Sequence, residues 1–286
     1  MKVVTYATDV TDGVQLFLAS CARYGIEPTV LGSGQPFTGH GMKIVLLRAY
    51  LNGIDATETV LYTDAYDVLF LRDPSDLEDT FRSFDRPVVF STEGYFKFID
   101  FSKAWYWLNY PKGRKPFAIG RYLNAGCFIG KAGPLLRVFE QLPVEETTEC
   151  DQTVLSKHFI AHPEDLTLDY GQRIFATTSA REGFEIGDFS IADDRLRQNL
   201  TGTYPYVLHF PGRNWVGLDL VSRQLGYQGV PVPEKDRVRY RRDHRNNRFA
   251  FALGIDQYGR HLVETAAKLG LILLVLSAVA WFLGVP

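Results

Sequence analysis

The sequence predicts an α/β fold: a mostly parallel central sheet flanked by helices, followed by a C-terminal apolar helix. Three observations carry this. Apolar strand-like runs alternate with helically spaced segments from residue 3 to residue 52. A glycine-rich loop, Gly32 to Gly41, separates the second such run from the second helix. The apolar stretch beginning at Val60 delivers two carboxylates, Asp64 and Asp67, to the end of its strand. Alternation of this kind is the mark of a parallel sheet with crossover helices.

Each element follows in order. Val3 to Thr8 reads as the first strand, and Gly13 to Tyr24 as a helix from the spacing of Val14, Leu16, Phe17, Ala19 and Cys21. Thr29 to Leu31 is a second strand and Met42 to Asn52 a second helix. Val60 to Tyr62 is the strand ahead of the acids, and Asp73-Pro74-Ser75 caps a helix carrying Leu77 and Phe81. Pro87 to Ser91 is another strand, whereas Tyr95 to Tyr110 shows no regular period. Tyr122 to Gly130 is a strand containing small residues, with helices from Pro134 to Leu142 and from Asp151 to about Phe159. Tyr206 to Phe210 is a late strand that holds His209. No internal repeat is visible.

With 286 residues, the chain has room for one domain of about 200–250 residues and an appendage. A formal net charge of -2 gives no reason to expect nucleic acid as a partner. Cys21, Cys127 and Cys150 are odd in number and widely spaced, which argues against a disulfide framework and for a reducing compartment. The N-terminus reaches Asp9 too soon for a secretory signal. Residues 269–286 carry no charge and would span about 27 Å as a helix, enough for a hydrocarbon core. Upstream, Lys235, Arg237, Arg239, Arg241, Arg242, Arg245 and Arg248 outnumber Asp236 and Asp243, a bias that favours the cytoplasmic side of a membrane. The expected organisation is a catalytic domain over 1–234, a basic juxtamembrane segment over 235–268 and a single-pass anchor over 269–286, with the domain facing the cytoplasm.

Asp64 and Asp67 lie three positions apart after a buried strand, so they can curl around one cation, and oxygen ligands suit Mg²⁺ or Mn²⁺. The spacing alone also fits a surface turn. His209 would complete a mixed nitrogen and oxygen site, although a lone histidine after a strand is often structural. Beyond it, Gly212 permits close backbone approach and Arg213 could neutralise phosphate. Lys43, at the start of a helix behind the glycine-rich loop, could reach a diphosphate. Tyr66, between the acids, could stack on a base or pack internally. Asn124-Ala125-Gly126 fits close approach to a sugar or a bulge in the sheet. Glu93 and Asp151 lie near element ends, where a carboxylate could bind a hydroxyl or take its proton.

Taken in order, these segments resemble the glycosyltransferase domain of the procollagen lysyl hydroxylases and their collagen galactosyl- and glucosyltransferase relatives. The resemblance is carried by Val4-Thr5-Tyr6-Ala7-Thr8, Gly41-Met42-Lys43, Thr63-Asp64-Ala65-Tyr66-Asp67-Val68 and Phe90-Ser91-Thr92-Glu93. It continues through Tyr122-Leu123-Asn124-Ala125-Gly126-Cys127-Phe128-Ile129-Gly130, Asp151-Gln152, Leu168-Asp169 with Arg173-Ile174-Phe175, and His209 with Gly212. It implies a GT-A fold, Mn²⁺ (or Mg²⁺) held by Asp64, Asp67 and His209, and a UDP-sugar donor, UDP-galactose or UDP-glucose. It implies uridine contacts from Thr8 and Tyr66, a phosphate contact from Lys43, and donor or acceptor contacts from Glu93, Asn124 and Asp151. The acceptor would be a hydroxyl: hydroxylysine of a collagen-like protein, or a glycan or lipid reached from the membrane. The chain departs from the family in the run Glu145 to Asp151, where the relatives carry successive aspartates, and in Phe210-Pro211. No His-x-Asp iron motif of the hydroxylase half occurs. The competing classes are a membrane-tethered scaffold that binds UDP-sugar or glycan without turnover, and a metal-dependent phosphohydrolase, for which no supporting Asp and Lys spacing is found.

Overall fold

β1 (Lys2–Tyr6) pairs in parallel with β2 (Thr29–Leu31) on one side and β3 (Thr59–Asp64) on the other. The computed structural model that shows this describes residues 1–93, 109–110, 120–148, 150–178, 189–192, 195–199, 201–212, 214–242, 270, 273–275 and 277. Beyond β3 come β6 (Tyr122–Lys131), β5 (Val88–Glu93) and β7 (Thr167–Leu168), so the main sheet has the order β2-β1-β3-β6-β5-β7. β6 is antiparallel to both its neighbours, while β5 and β7 run parallel. One strand is therefore reversed against five, and the mostly parallel α/β class expected from the alternation is what is found.

Side chains on successive strand residues face opposite ways, and the sheet is buried on both faces because each face meets its own core. Val4, Tyr62, Phe90 and Phe128 pack on one side with α2 (Gly41–Asn52), α4 (Ala132–Glu140) and α5 (Asp151–Ala161). Their neighbours Val3, Leu61, Val89 and Ile129 pack on the other with Phe17 and Cys21 of α1 (Asp12–Arg23) and Phe81 of α3 (Leu77–Arg82). This explains why these strands read as continuous apolar runs rather than as alternating ones. At the centre, the Phe128 ring stacks on Tyr62 at 4.7 Å and meets the tilted Phe90 ring at 4.8 Å between centroids.

A second sheet joins β4 (Val68–Phe70), β11 (Val207–His209) and β8 (Phe175–Thr177), with β11 in the middle. α6 (Trp215–Gln224) covers it through Leu218 and Val221. β9 (Phe189–Ala192) and β10 (Arg195–Gln198) form a separate antiparallel pair. The short strand β4 and the helix α6 were not anticipated. β4 continues the apolar run after the acids, and α6 follows a cap whose signal is local: the Asn214 side chain accepts from the Gly217 N–H at 3.1 Å.

The expected single-pass anchor is corrected. Among the described residues no helix is long and apolar enough to cross a membrane. Most of 269–286 lies outside those residues, as does the basic segment beyond residue 242. Residues 234–242 are helical. An uncharged stretch of 18 residues meets the length needed to span a bilayer, but length and composition alone do not make a continuous helix. The placement of the catalytic domain on the cytoplasmic side, argued from that anchor, falls with it.

Candidate active site

The reversal of β6 decides which residues meet. In five strands the carboxyl ends share one edge of the sheet, and β6 brings its N-terminal half there instead. Asp64 at the end of β3 thus lies beside Asn124-Ala125-Gly126 of β6 and Glu93 at the end of β5. Opposite Ser91 the register jumps: Phe90 faces Phe128, but Ser91 faces Asn124. Residues 125–127 are left without partners on β5, which is the bulge that was one of the two readings of the small residues.

The second sheet supplies the rest. In the antiparallel pairing of β4 and β11, His209 faces Val68, next to Asp67, and the Phe210 N–H donates to the Asp67 carbonyl at 2.9 Å. Asp64 ends β3 and Asp67 lies in the short loop before β4, so pairing β11 onto β4 sets the imidazole against both acids. His209 Nε2 lies 3.3 Å from Asp67 Oδ1, and the ligand atoms of Asp64, Asp67 and His209 all lie within 4.8 Å of one another. Gly126 is needed at this point. A Cβ there would come within 2.3 Å of His209 Cε1 and 2.8 Å of Asp64 Oδ2.

Lys43, in the first turn of α2, is buried and turned inward. Its Nζ sits 2.5 Å from Asp151 Oδ2 and 3.5 Å from Asp64 Oδ1, and donates to the Ala125 carbonyl at 3.1 Å. A cation at a helix N-terminus is unfavourable on its own. Burial would also pull the ammonium down, but Asp151 and then Asp64 outweigh burial and hold it above its usual value. Lys43 thus ties a candidate metal ligand to the carboxylate at the start of α5.

Glu93 is clasped from two sides. Gln152 Nε2 donates to its Oε1, and Asn124 Nδ2 donates to its Oε2 at 3.3 Å. Gln152 also accepts from the Ala125 N–H at 3.2 Å, which pins the bulge. Thr8 and Tyr66 meet at the same edge: the Thr8 N–H donates to the Tyr66 hydroxyl at 3.0 Å. Gly212 has φ +73 with open space around it. Arg213 lies outside the described residues.

Two contributors were not singled out from the sequence. Tyr62 donates its hydroxyl to Asp64 Oδ1 at 2.9 Å; being two residues earlier on the same strand, it had to share the face of Asp64, so the signal was present. Gln152 was noted only as the neighbour of Asp151, and its role depends on where the bulge sets the Ala125 N–H, which only the three-dimensional arrangement decides.

The electrostatics fit a divalent cation. Burial first, with added repulsion from Asp67 and Asp151, pushes Asp64 up despite Lys43 and His209. Burial pulls His209 down, but Asp67, Asp64 and Glu93 together reverse it and hold the imidazole above its usual value. Four carboxylates crowd two basic side chains, a surplus that a divalent ion relieves. Two carboxylates and an imidazole suit Mn²⁺ or Mg²⁺ in hardness.

Residues 1–226 match the family model described as the PLOD GT domain. The procollagen-lysine,2-oxoglutarate 5-dioxygenase of Drosophila melanogaster is 29% identical over 249 residues, covering 80% of this chain and 33% of that protein. Procollagen-lysine,2-oxoglutarate 5-dioxygenase 1 of Gallus gallus is 28% identical over 249 residues, covering 82% and 32%. The chain therefore spans about a third of the length of these relatives. Among solved structures, a glycosyltransferase involved in the glycosylation of the major capsid of PBCV-1 is 12% identical, covers 74% of this chain and 94% of its own, and has a TM-score of 0.39. With the match running from the first strand to the end of α6, the chain belongs to the PLOD GT domain family, a family of glycosyltransferase domains.

Proposed function

We propose that this glycosyltransferase domain moves a hexose from UDP-glucose or UDP-galactose to a hydroxyl acceptor in a reaction that depends on Mn²⁺ or Mg²⁺. The observation that carries the reading is the convergence of Asp64, Asp67 and His209 within 4.8 Å at the carboxyl edge of the sheet, where ligands bind in open α/β folds. A divalent ion held by these three side chains would neutralise negative charge on the leaving diphosphate. The chain's own residues do the rest. Thr8 and Tyr66, joined by their hydrogen bond, form one wall of the edge and are the assigned contacts for the uridine. Gly126, having no Cβ, lets the imidazole and the Asp64 carboxylate come together against the backbone of β6. Asp151 has one oxygen held by Lys43, which leaves the other to orient an acceptor hydroxyl or take its proton. Lys43 is assigned to hold that carboxylate rather than to reach the phosphates.

The acceptor is assigned by analogy as hydroxylysine in a collagen-like chain, because the relatives are named for procollagen lysine. The test is UDP release by the purified chain with either donor, with and without Mn²⁺. Chelation, and the separate changes Asp64→Ala and Asp67→Ala, should each lower turnover at least about 100-fold, the scale of removing one electrostatic contributor to a transition state. Turnover that survives all three treatments would exclude the reading.

A further inference from the structure

We propose that Asn124 is a positioning residue for the metal centre: its amide oxygen keeps the proton on Nδ1 of His209, so that Nε2, beside Asp67, is the nitrogen left to ligate a cation. The inference rests on the metal-site reading above and reassigns Asn124 from sugar contact to orienting the imidazole.

The argument is one of donors and acceptors. Asn124 is almost fully buried, at 2% exposure. Its Oδ1 meets the Gly126 N–H at 2.9 Å, the Ser91 hydroxyl at 3.1 Å and His209 Nδ1 at 3.0 Å. A backbone N–H can only donate, so the atom facing it must be the amide oxygen. The other end agrees independently, because Nδ2 faces a carboxylate oxygen of Glu93 at 3.3 Å and a carboxylate accepts. With the amide orientation set twice, Nδ1 of His209 faces an acceptor and must hold a proton. Nε2, 3.3 Å from Asp67 Oδ1, is then the nitrogen that can ligate. Orienting partners of this kind fix the tautomer and the ring of a ligating histidine. The anchor extends outward, since Glu93 is also clasped by Gln152 at the start of α5. A chain of side chains thus leads from the helix through Glu93 and Asn124 to the imidazole.

The test is Mn²⁺ affinity, read from the electron paramagnetic resonance signal of the free ion, together with the ¹⁵N spectrum of His209 in the Mg²⁺-loaded protein. Asn124→Leu removes the acceptor and should weaken Mn²⁺ binding about 10–100-fold. Because it also strands Glu93 and the Gly126 N–H, a rescue is paired with it. In the double change Asn124→Asp with Glu93→Gln, the introduced carboxylate accepts from Gly126, Ser91, His209 and the introduced amide, while Gln152 keeps its acceptor. That protein should bind Mn²⁺ within about threefold of the parent, whereas either single change should bind more weakly. In the parent, the spectrum should show the proton on Nδ1. A proton on Nε2, or Asn124→Leu binding within twofold of the parent, overturns the proposal. If Asp64→Ala also binds Mn²⁺ like the parent, the metal site itself is wrong; if Asp64→Ala loses binding while Asn124→Leu keeps it, only the role of Asn124 falls.

Discussion

Replacing Gly126 with alanine would set a methyl carbon 2.3 Å from His209 Cε1 and 2.8 Å from Asp64 Oδ2. Neither neighbour is a free chain end: Asp64 is bonded by Tyr62, and His209 is held between Asn124 and Asp67. The imidazole and the carboxylate must therefore separate. Gly126→Ala should weaken Mn²⁺ binding at least about tenfold, the lower end of the loss seen when the surroundings of a ligand are disturbed, while the circular dichroism of the fold is unchanged. Titration calorimetry decides it. At this scale much of the site was legible. Asp64, Asp67 and His209 stood out because chemistry restricts which residue types hold a hard cation, and the three do converge. The partner of Lys43 was not legible, because an ammonium at a helix start can reach a phosphate or a carboxylate, and only the placement of Asp151 in three dimensions chooses.

At the scale of elements, β6 carries the load of both cores. Phe128 stacks on Tyr62, packs against the tilted Phe90 ring and meets Phe139 of α4 edge-on at 5.4 Å, so little around it can collapse into a void. Phe128→Ala should cost about 3–5 kcal/mol, measurable as a lowered urea midpoint. α5 offers a test of a different kind. His158, buried on that helix with Nε2 3.0 Å from Asp165 Oδ2, is held below its usual value, since burial outweighs the carboxylate; His162 also opposes the charge from a ring 4.9 Å away, and Glu164 favours it. The unfolded chain then binds more protons at this residue than the folded one, so stability rises with pH. The contribution is whole above about pH 6.5 and is lost as pH falls through the lower folded-state value. His158→Gln should therefore flatten the acid side of the stability profile, measured by urea unfolding between about pH 5 and 7.5. α1 was legible because its helical spacing runs over many residues, and β6 because its apolar run with small residues is long. β4, with three residues, and the pair β9 and β10 were not, because such short strands are defined by their partners more than by their own sequence.

For the whole molecule, the candidate centre joins the two sheets. Asp64 closes β3 in the main sheet, and His209 closes β11 in the smaller one. A cation bound there crosslinks them, and ligand binding to the folded state alone stabilises by about 2.7 kcal/mol at a hundredfold excess over Kd. Saturating Mn²⁺ should raise the melting temperature of the parent chain and leave that of Asp67→Ala unchanged. Slower hydrogen exchange at Val207, Leu208 and His209 on adding the ion would locate the effect in the smaller sheet. The order of strands in that sheet could not be read from the sequence, because each of its strands comes from a distant part of the chain.

That distance has a temporal meaning. His209 follows Asp64 by 145 positions (209 minus 64), and contacts so remote along a polypeptide form only after the intervening loop has been closed. On the ribosome, the two acids emerge long before the imidazole does. The nascent domain should therefore gain strong manganese affinity only once its last strand has docked, which makes capture of the ion a marker of completed assembly.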